Sequence, residues 1–400
     1  MANYSQAIHY RMSTHTQISK PKLLIAASVP LHLYTFWVPY ARHFHAQGWQ
    51  VDGMAAGIGQ FHQLAGEFDN IHDVQFVRNP FKNPGAFITN LRATQRQIID
   101  IFQANEYNIV HISTPTAGFL LRYTLRNKFP NLHKIYTAHG FHFFKGNAPL
   151  KNLVFHTLEA YVAKWTDTLI TINQEDYEAA RAFSRLDPRN VQLFPGIGVD
   201  LVKYSQGSTN LREELQLSAT TPILLMIGEM NKGKRHRDLI QALKFLPNCH
   251  VVLAGSGKLQ DQLKASVQRN NLQDRVHFLG FRNDIPALIN AADILVLPSE
   301  REGLPRCIME AMSIGTPVVA CSIRGCKDLL QNQRGLLYPV GNIPELVKAI
   351  QTILTQPDIS QQLVQNAKVH IPKYALDLLL QQHSHLYKNI LRNIPTNKNQ

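Results

Sequence analysis

Two carboxylates, Glu302 and Glu310, stand eight residues apart in the run Ser299-Glu300-Arg301-Glu302-Gly303-Leu304-Pro305-Arg306-Cys307-Ile308-Met309-Glu310. The run lies between two apolar, strand-like segments at 293–298 and 316–320. Pro305 suits a first helical turn, where a missing N–H costs nothing. The free N–H groups of such a start, together with the helix dipole, attract a phosphate. Were the whole stretch helical, eight residues would rise about 12 Å, roughly the reach of a nucleotide sugar from hexose to ribose. On that spacing Glu302 is expected to hold hexose hydroxyls and Glu310 the ribose, with a diphosphate between them at Gly303-Leu304.

Further chemistry sits at other strand ends. Gly228-Glu229-Met230-Asn231-Lys232-Gly233-Lys234-Arg235 follows an apolar strand, and lysines in such a loop suit a diphosphate. In Ala254-Gly255-Ser256-Gly257, Gly255 would let backbone approach a nucleotide, although a short Gly-x-Gly is weak on its own. In Thr137-Ala138-His139-Gly140-Phe141-His142, a histidine at a strand end points into a cleft; with eighteen histidines in the chain, that placement is what raises His139 above the rest. No Asp-x-Asp pair, no Cys/His cluster at zinc spacing, no Gly-x-Ser-x-Gly elbow and no Walker lysine loop occurs, so no metal or cofactor is expected.

Taken together, Ser299, Glu302-Gly303-Leu304-Pro305, Glu310-Ala311-Met312 and Gly315-Thr316-Pro317-Val318-Val319-Ala320 resemble the Glu-x7-Glu signature of retaining glycosyltransferases with two Rossmann-like domains, family 4. The Gly-Glu-Met-Asn-Lys run is similar to the exopolysaccharide and capsule subgroup, as are His32 in Pro30-Leu-His-Leu33, Arg78-Asn79-Pro80, His111 with Thr114-Pro115, Asn173-Gln-Glu-Asp176 and Arg324-Gly325-Cys326. The resemblance runs from about residue 22 to 345. It implies that Lys234 is the phosphate lysine and that His139 sits beside the anomeric carbon. It also implies that the Gly280-Phe281-Arg282 segment lines a uracil pocket through backbone at Arg282, and that His32, His142 and Arg324 belong to the cleft or acceptor side. Glu229 stands where the family usually has arginine, so Arg235 or Lys232 is expected to assist at the diphosphate.

The implied activity is metal-independent, retaining transfer of a hexose or N-acetylhexosamine from a nucleotide sugar, a UDP-sugar above all, without a covalent intermediate. The implied acceptor is a sugar on a polyprenyl diphosphate at the membrane surface, within exopolysaccharide or capsule assembly and alongside other assembly proteins. Two alternatives stay open on the sequence: a UDP-sugar 2-epimerase on the same fold, and a non-catalytic carbohydrate-binding relative.

The elements that must position these residues alternate strand and helix. Apolar strands at 23–28, 109–112, 134–137 and 168–172, with helices at 37–48, 86–104, 116–128, 150–165 and 174–184, read as a parallel sheet covered on both faces. The turn-rich 195–200 is the expected linker. The pattern restarts with strands at 222–228, 251–255, 276–280, 293–298 and 318–320. The fold class is therefore α/β, two Rossmann-like doubly wound domains facing a cleft, at 22–200 and 201–373 after a polar extension at 1–21; the resemblance implies that 22–200 is the acceptor-binding domain and 201–373 the nucleotide-sugar domain. By the resemblance, 374–400 crosses back to the first domain in the manner of GT-B proteins. Four hundred residues exceed what one core usually supports, and 44% hydrophobic content suffices for two.

A net charge of +13 is spread over both halves, which points to anionic partners. No block of five like charges and no nucleic-acid motif appears, so nucleic acid is not expected. No apolar run reaches the length of a membrane span, and the first twenty residues lack the apolar core of a signal peptide. A cytoplasmic protein, peripheral on the inner face of the plasma membrane, is the expectation. The cysteines, Cys249, Cys307, Cys321 and Cys326, form no Cys-x-x-Cys pair and read as small buried apolar residues.

Overall fold

The computed structural model describes residues 20–76, 84–203 and 210–393; Arg78-Asn79-Pro80 and most of the polar 1–21 stretch lie outside the described residues. Strands β1 (Lys22–Ala26), β2 (Gln50–Ala55), β3 (Ile71–Asp73), β4 (Ile109–Ser113), β5 (His133–Ala138), β6 (Thr168–Thr171) and β7 (Val191–Leu193) build one parallel sheet in the order β3-β2-β1-β4-β5-β6-β7. Strands β8 (Ile223–Ile227), β9 (His250–Ala254), β10 (Val276–Gly280), β11 (Ile294–Leu297), β12 (Val318–Cys321) and β13 (Leu336–Tyr338) build a second, in the order β10-β9-β8-β11-β12-β13. Each order reverses beside the domain's first strand, between β1 and β4 and between β8 and β11. Such a switch point opens a crevice at the carboxyl ends of the strands.

The central strands are continuous apolar runs because both faces are covered. Helices α1 (Pro30–Phe36), α2 (Val38–Ala46), α3 (Pro84–Ala104), α4 (Pro115–Leu125), α5 (Pro149–Ala163) and α6 (Gln174–Arg181) serve the first sheet. The second half carries α7 (Leu211–Glu214), α8 (His236–Ala242), α9 (Gln260–Arg269), α10 (Ile285–Ala291), α11 (Arg306–Ile314), α12 (Cys326–Leu330), α13 (Ile343–Thr355) and α14 (Pro357–His370). The final helix, α15 (Leu376–Asn393), packs on the first sheet. Its Leu379, Leu380, Tyr387 and Ile390 join Leu23, Trp37 and Phe44 in one core, and the Tyr387 hydroxyl bonds the buried His111. The chain thus crosses between the domains twice, and the crossings run side by side. Val199 N–H donates to the Tyr374 carbonyl, and Leu376 N–H donates to the Val199 carbonyl, each at 2.9 Å.

Two differences from the sequence reading matter for the site. Helix α2 matches the helix expected at 37–48, but an unforeseen helix, α1, precedes it and meets it at Trp37. Pro39 has no N–H to offer the Thr35 carbonyl four residues back. That carbonyl instead accepts from Arg306 Nη1 of the second domain at 3.1 Å. Strand β2 escapes a search for apolar runs because it carries Asp52 and Gly53. Asp52 is tolerated in the interior because the Tyr107 hydroxyl and Asn70 bond it.

Candidate active site

The second domain presents charge at the carboxyl ends of β8 and β11. Asn231 caps the turn at Lys232–Lys234, its side chain accepting from Lys234 N–H at 3.1 Å. This aims Lys234 across to the loop after β11, where Nζ meets Glu302 Oε1 at 2.6 Å. Burial disfavours the ammonium, but Glu302 together with the nearby Cys307 and Cys326 thiols outweighs that and holds the Lys234 pKa above its usual value. Glu302 lies in the loop, not in a helix, because α11 starts only at Arg306, with Pro305 as its N-cap. The all-helical spacing to Glu310 therefore does not apply, and Pro305 stands one place earlier than expected. Glu310 is buried on α11 and bridges Arg306 one turn earlier at 2.9 Å.

The glycines of this wall are positions of close approach. A Cβ on Gly255 would lie 2.1 Å from the Gly228 carbonyl oxygen, so the loops after β8 and β9 stack backbone on backbone. Glu229, the departure from the family pattern, is exposed and accepts from Asn231 Nδ2 at 3.1 Å.

The first domain presents neutral groups. At the end of β4, the Ser113 hydroxyl lies 2.6 Å from His32 Nε2 and 2.8 Å from His139 Nε2. The arrangement is satisfied when one ring donates at Nε2 and the other accepts there. His32, His139 and Phe36 form an aromatic cluster, with the two imidazoles 4.9 Å apart edge to face. Burial pushes the His139 pKa down to about 4, and burial with the neighbouring His139 lowers that of His32 well below its usual value, so both are neutral at pH 7. Thr114, next in the chain, adopts φ 81°, unusual for a β-branched residue, while its hydroxyl accepts from Ser28 N–H at 2.9 Å.

The two walls touch. A Cβ on Gly303 would lie 1.9 Å from the His139 carbonyl oxygen, so Glu302-Gly303 rests directly on His139-Gly140 of the other domain. Arg324 fastens this junction from below. It is buried, pairs with Asp176 of α6, donates to the Phe141 and Phe143 carbonyls, and reaches the Glu302 carbonyl at 3.2 Å. Arg324, expected on the acceptor or cleft side, is thus an interdomain strap under the Glu302–His139 contact. Asp176 is itself set by the α6 cap, where Asn173 Nδ2 donates to it at 2.8 Å.

Among the expected site residues, Glu302, Gly303, Leu304, Lys234, His139 and His32 converge on this junction. Leu304 packs its side chain toward Gly196 of the interdomain crossing. His142 turns to Phe155 of α5, with ring centroids 5.2 Å apart, and burial brings its pKa down to about 4. Arg235 is committed to Asp238 at 2.6 Å and lies 3.7 Å from Glu300, away from the Lys234–Glu302 pair. The Arg282 guanidinium is held by Asp284 and Glu214, which leaves its backbone as the part available to a ligand. Ser113, Asp176 and Arg306 were missed as site residues. The only sequence signal for Ser113 was its place at a strand end before Thr114-Pro115.

Two doubly wound domains closed on a cleft, one wall charged and the other built of hydroxyl and imidazole, define a GT-B protein. The fold matches a sucrose-phosphate synthase from Thermosynechococcus elongatus with TM-score 0.78 at 21% identity, over 93% of this chain and 100% of that one. It matches Anabaena HepE, solved with UDP and glucose, with TM-score 0.74 at 21% identity, over 92% and 100%. Residues 36–202 match the family model Glycosyltransferase Family 4, and residues 207–370 match Glycosyl transferases group 1. EpsD of Bacillus subtilis (strain 168), classed as a glycosyltransferase, is 32% identical over 87% of this chain and 91% of its own length. An Escherichia coli UDP-Gal:alpha-D-GlcNAc-diphosphoundecaprenol alpha-1,3-galactosyltransferase is 32% identical over 62% and 67%. The chain belongs to the family 4 glycosyltransferases, the group that includes enzymes of exopolysaccharide type.

Proposed function

We propose that this glycosyltransferase moves a hexose or N-acetylhexosamine from a UDP-sugar to a sugar carried on a polyprenyl diphosphate, with retention at the anomeric carbon and without a metal. The observation that carries the reading is the Lys234–Glu302 pair set against His139 across the Gly303 contact. A diphosphate leaving group accumulates negative charge, and Lys234 with the α11 start supplies positive potential where it accumulates. Glu302 receives donor-sugar hydroxyls, Glu310 the ribose, and His139 orients the sugar from the opposite wall. Neutral imidazole suits that task, since it can accept or donate a hydrogen bond without opposing the developing oxocarbenium charge. Attack and departure share one face of the sugar, with no covalent intermediate. Support for the acceptor comes from the relatives. The E. coli enzyme is named for a diphosphoundecaprenol-linked GlcNAc, and a Campylobacter jejuni relative, 27% identical, for a diphospho-undecaprenol-linked sugar.

The test is a radiolabel assay with UDP-glucose, UDP-galactose, UDP-GlcNAc and UDP-GalNAc and membranes carrying lipid-linked sugars. Label entering the lipid fraction from one donor, undiminished by EDTA, α-linked by NMR and lost in Glu302→Ala, is the expected result. An epimer or free sugar formed without acceptor would replace the reading with the epimerase. Transfer unaffected by Glu302→Ala would remove Glu302 from the site.

A further inference from the structure

Helix α5 is long, yet only Val162 and Ala163 are fully buried. Phe155 and Ala160 lean on the first core, while Leu150, Leu153, Val154, Leu158 and Tyr161 face outward. Leu150 is 72% exposed and Leu153 63%. These positions recur at steps of three and four, so they form one continuous stripe along the helix. Scattered exposed apolar residues need no explanation, whereas a contiguous stripe does. The stripe continues onto α4, where exposed Phe119 stacks on Tyr123 and Tyr123 meets Trp165 at 5.5 Å.

The surroundings of the stripe say what covers it. Lys164 Nζ lies over the Tyr161 and Trp165 rings at 4.3 and 4.4 Å, Arg126 over Tyr123 at 4.3 Å, and Arg185 near Tyr161 at 5.5 Å. Lys151 lies at the stripe's other end. The helix's one acidic residue, Glu159, is turned to the back, where buried Arg122 holds it at 2.9 Å. An apolar stripe edged by tyrosine, tryptophan and bases, with its acid withdrawn, matches the depth profile of a bilayer surface: acyl chains below, anionic head groups at the rim. A second copy of the chain fits poorly, because a twofold contact would set one basic rim against another.

We infer that the α4–α5 face docks on an anionic lipid bilayer, with the outward leucines and valine of α5 entering the acyl boundary and Lys151, Lys164, Arg126 and Arg185 contacting head groups. The inference deepens the lipid-linked acceptor reading and rests on it for its purpose. Helix α5 follows directly on the loop that carries His139 and His142, and its Phe155 touches the His142 ring. Docking by this face therefore brings the first-domain wall of the cleft to the membrane surface, within reach of a head group.

The test uses the full chain and phosphatidylcholine vesicles with and without phosphatidylglycerol, free of any glycolipid, read by flotation. Binding to the anionic vesicles that weakens with salt is expected. Leu153→Asp/Leu158→Asp should lower it at least ~10-fold, and Lys151→Gln or Lys164→Gln about fivefold each. An unchanged melting temperature shows that each variant is folded. No binding by the parent chain, equal binding by the Asp variant, or a dimer in vesicle-free buffer that the Asp variant abolishes would overturn the inference. Because these vesicles hold no acceptor, a wrong acceptor assignment leaves flotation untouched, and failed flotation leaves sugar transfer to be judged by the radiolabel assay.

Discussion

The two walls of the cleft are built on the same frame and carry opposite chemistry. In each domain a parallel sheet reverses its strand order beside the first strand, and loops at the carboxyl ends reach the cleft. The second domain fills that place with ion pairs, Lys234–Glu302 and Arg306–Glu310. The first fills it with Ser113 between two imidazoles that burial keeps neutral. A diphosphate needs fixed charge, while a hydroxyl-rich sugar needs donors and acceptors that do not compete for its phosphate. The division teaches that the shared fold supplies a position, and that the side chains at the strand ends decide what the position binds.

The largest expected effect lies on the charged wall. Lys234→Ala removes the cation and leaves Glu302 without its partner, and the transfer rate should fall about 10²- to 10³-fold with weaker UDP binding by calorimetry. A loss of rate with UDP affinity intact would move the diphosphate away from Lys234. A smaller effect is expected on the neutral wall. Ser113→Ala removes the hydroxyl that joins His32 and His139, worth about one hydrogen bond, so turnover should fall about tenfold with UDP affinity unchanged. If Ser113→Ala weakened UDP binding as Lys234→Ala does, the division between the walls would fail.

A separate effect, on stability and not on turnover, is set by pH. Burial lowers the pKa of His139, His142, His236 and His383 from 6.5 to about 4. Between those values the unfolded chain binds protons that the folded chain refuses, so stability falls as pH drops from 6.5 toward 4. The slope approaches about 1.4 kcal/mol per pH unit for each histidine. Denaturant unfolding at pH 7 and pH 5 should show the loss, and His383→Phe, on the first-domain core away from the cleft, should reduce the slope. A flat profile would mean that these rings are protonated in the folded state.

Much of the architecture was legible because buried parallel strands announce themselves as apolar runs. Leu23-Leu-Ile-Ala26, Ile223-Leu-Leu-Met226 and Ile294-Leu-Val-Leu297 all read directly as strands. Strands β2, β3, β7 and β13 did not. β3 is an exposed edge of three residues and β2 contains a buried aspartate, so neither carries the pattern. As candidates, Glu302 was legible from its spacing to Glu310, His139 from its place at a strand end, and Lys234 from the family resemblance. The expected length of helix around Glu302 was not, because Pro305 caps α11 and leaves Glu302 in the preceding loop.

The sequence by itself determined the two parallel-sheet domains, the family and the set of polar residues at strand ends, since these rest on local pattern and short spacing. Only the tertiary structure decided how those residues divide between partners 68 to 148 positions apart: Lys234 with Glu302, and Asp176 with Arg324. It also decided that Gly303 must be glycine because a carbonyl of the other domain occupies the place of its Cβ. Contacts of that kind depend on how two separately folded surfaces meet, and no local propensity encodes them.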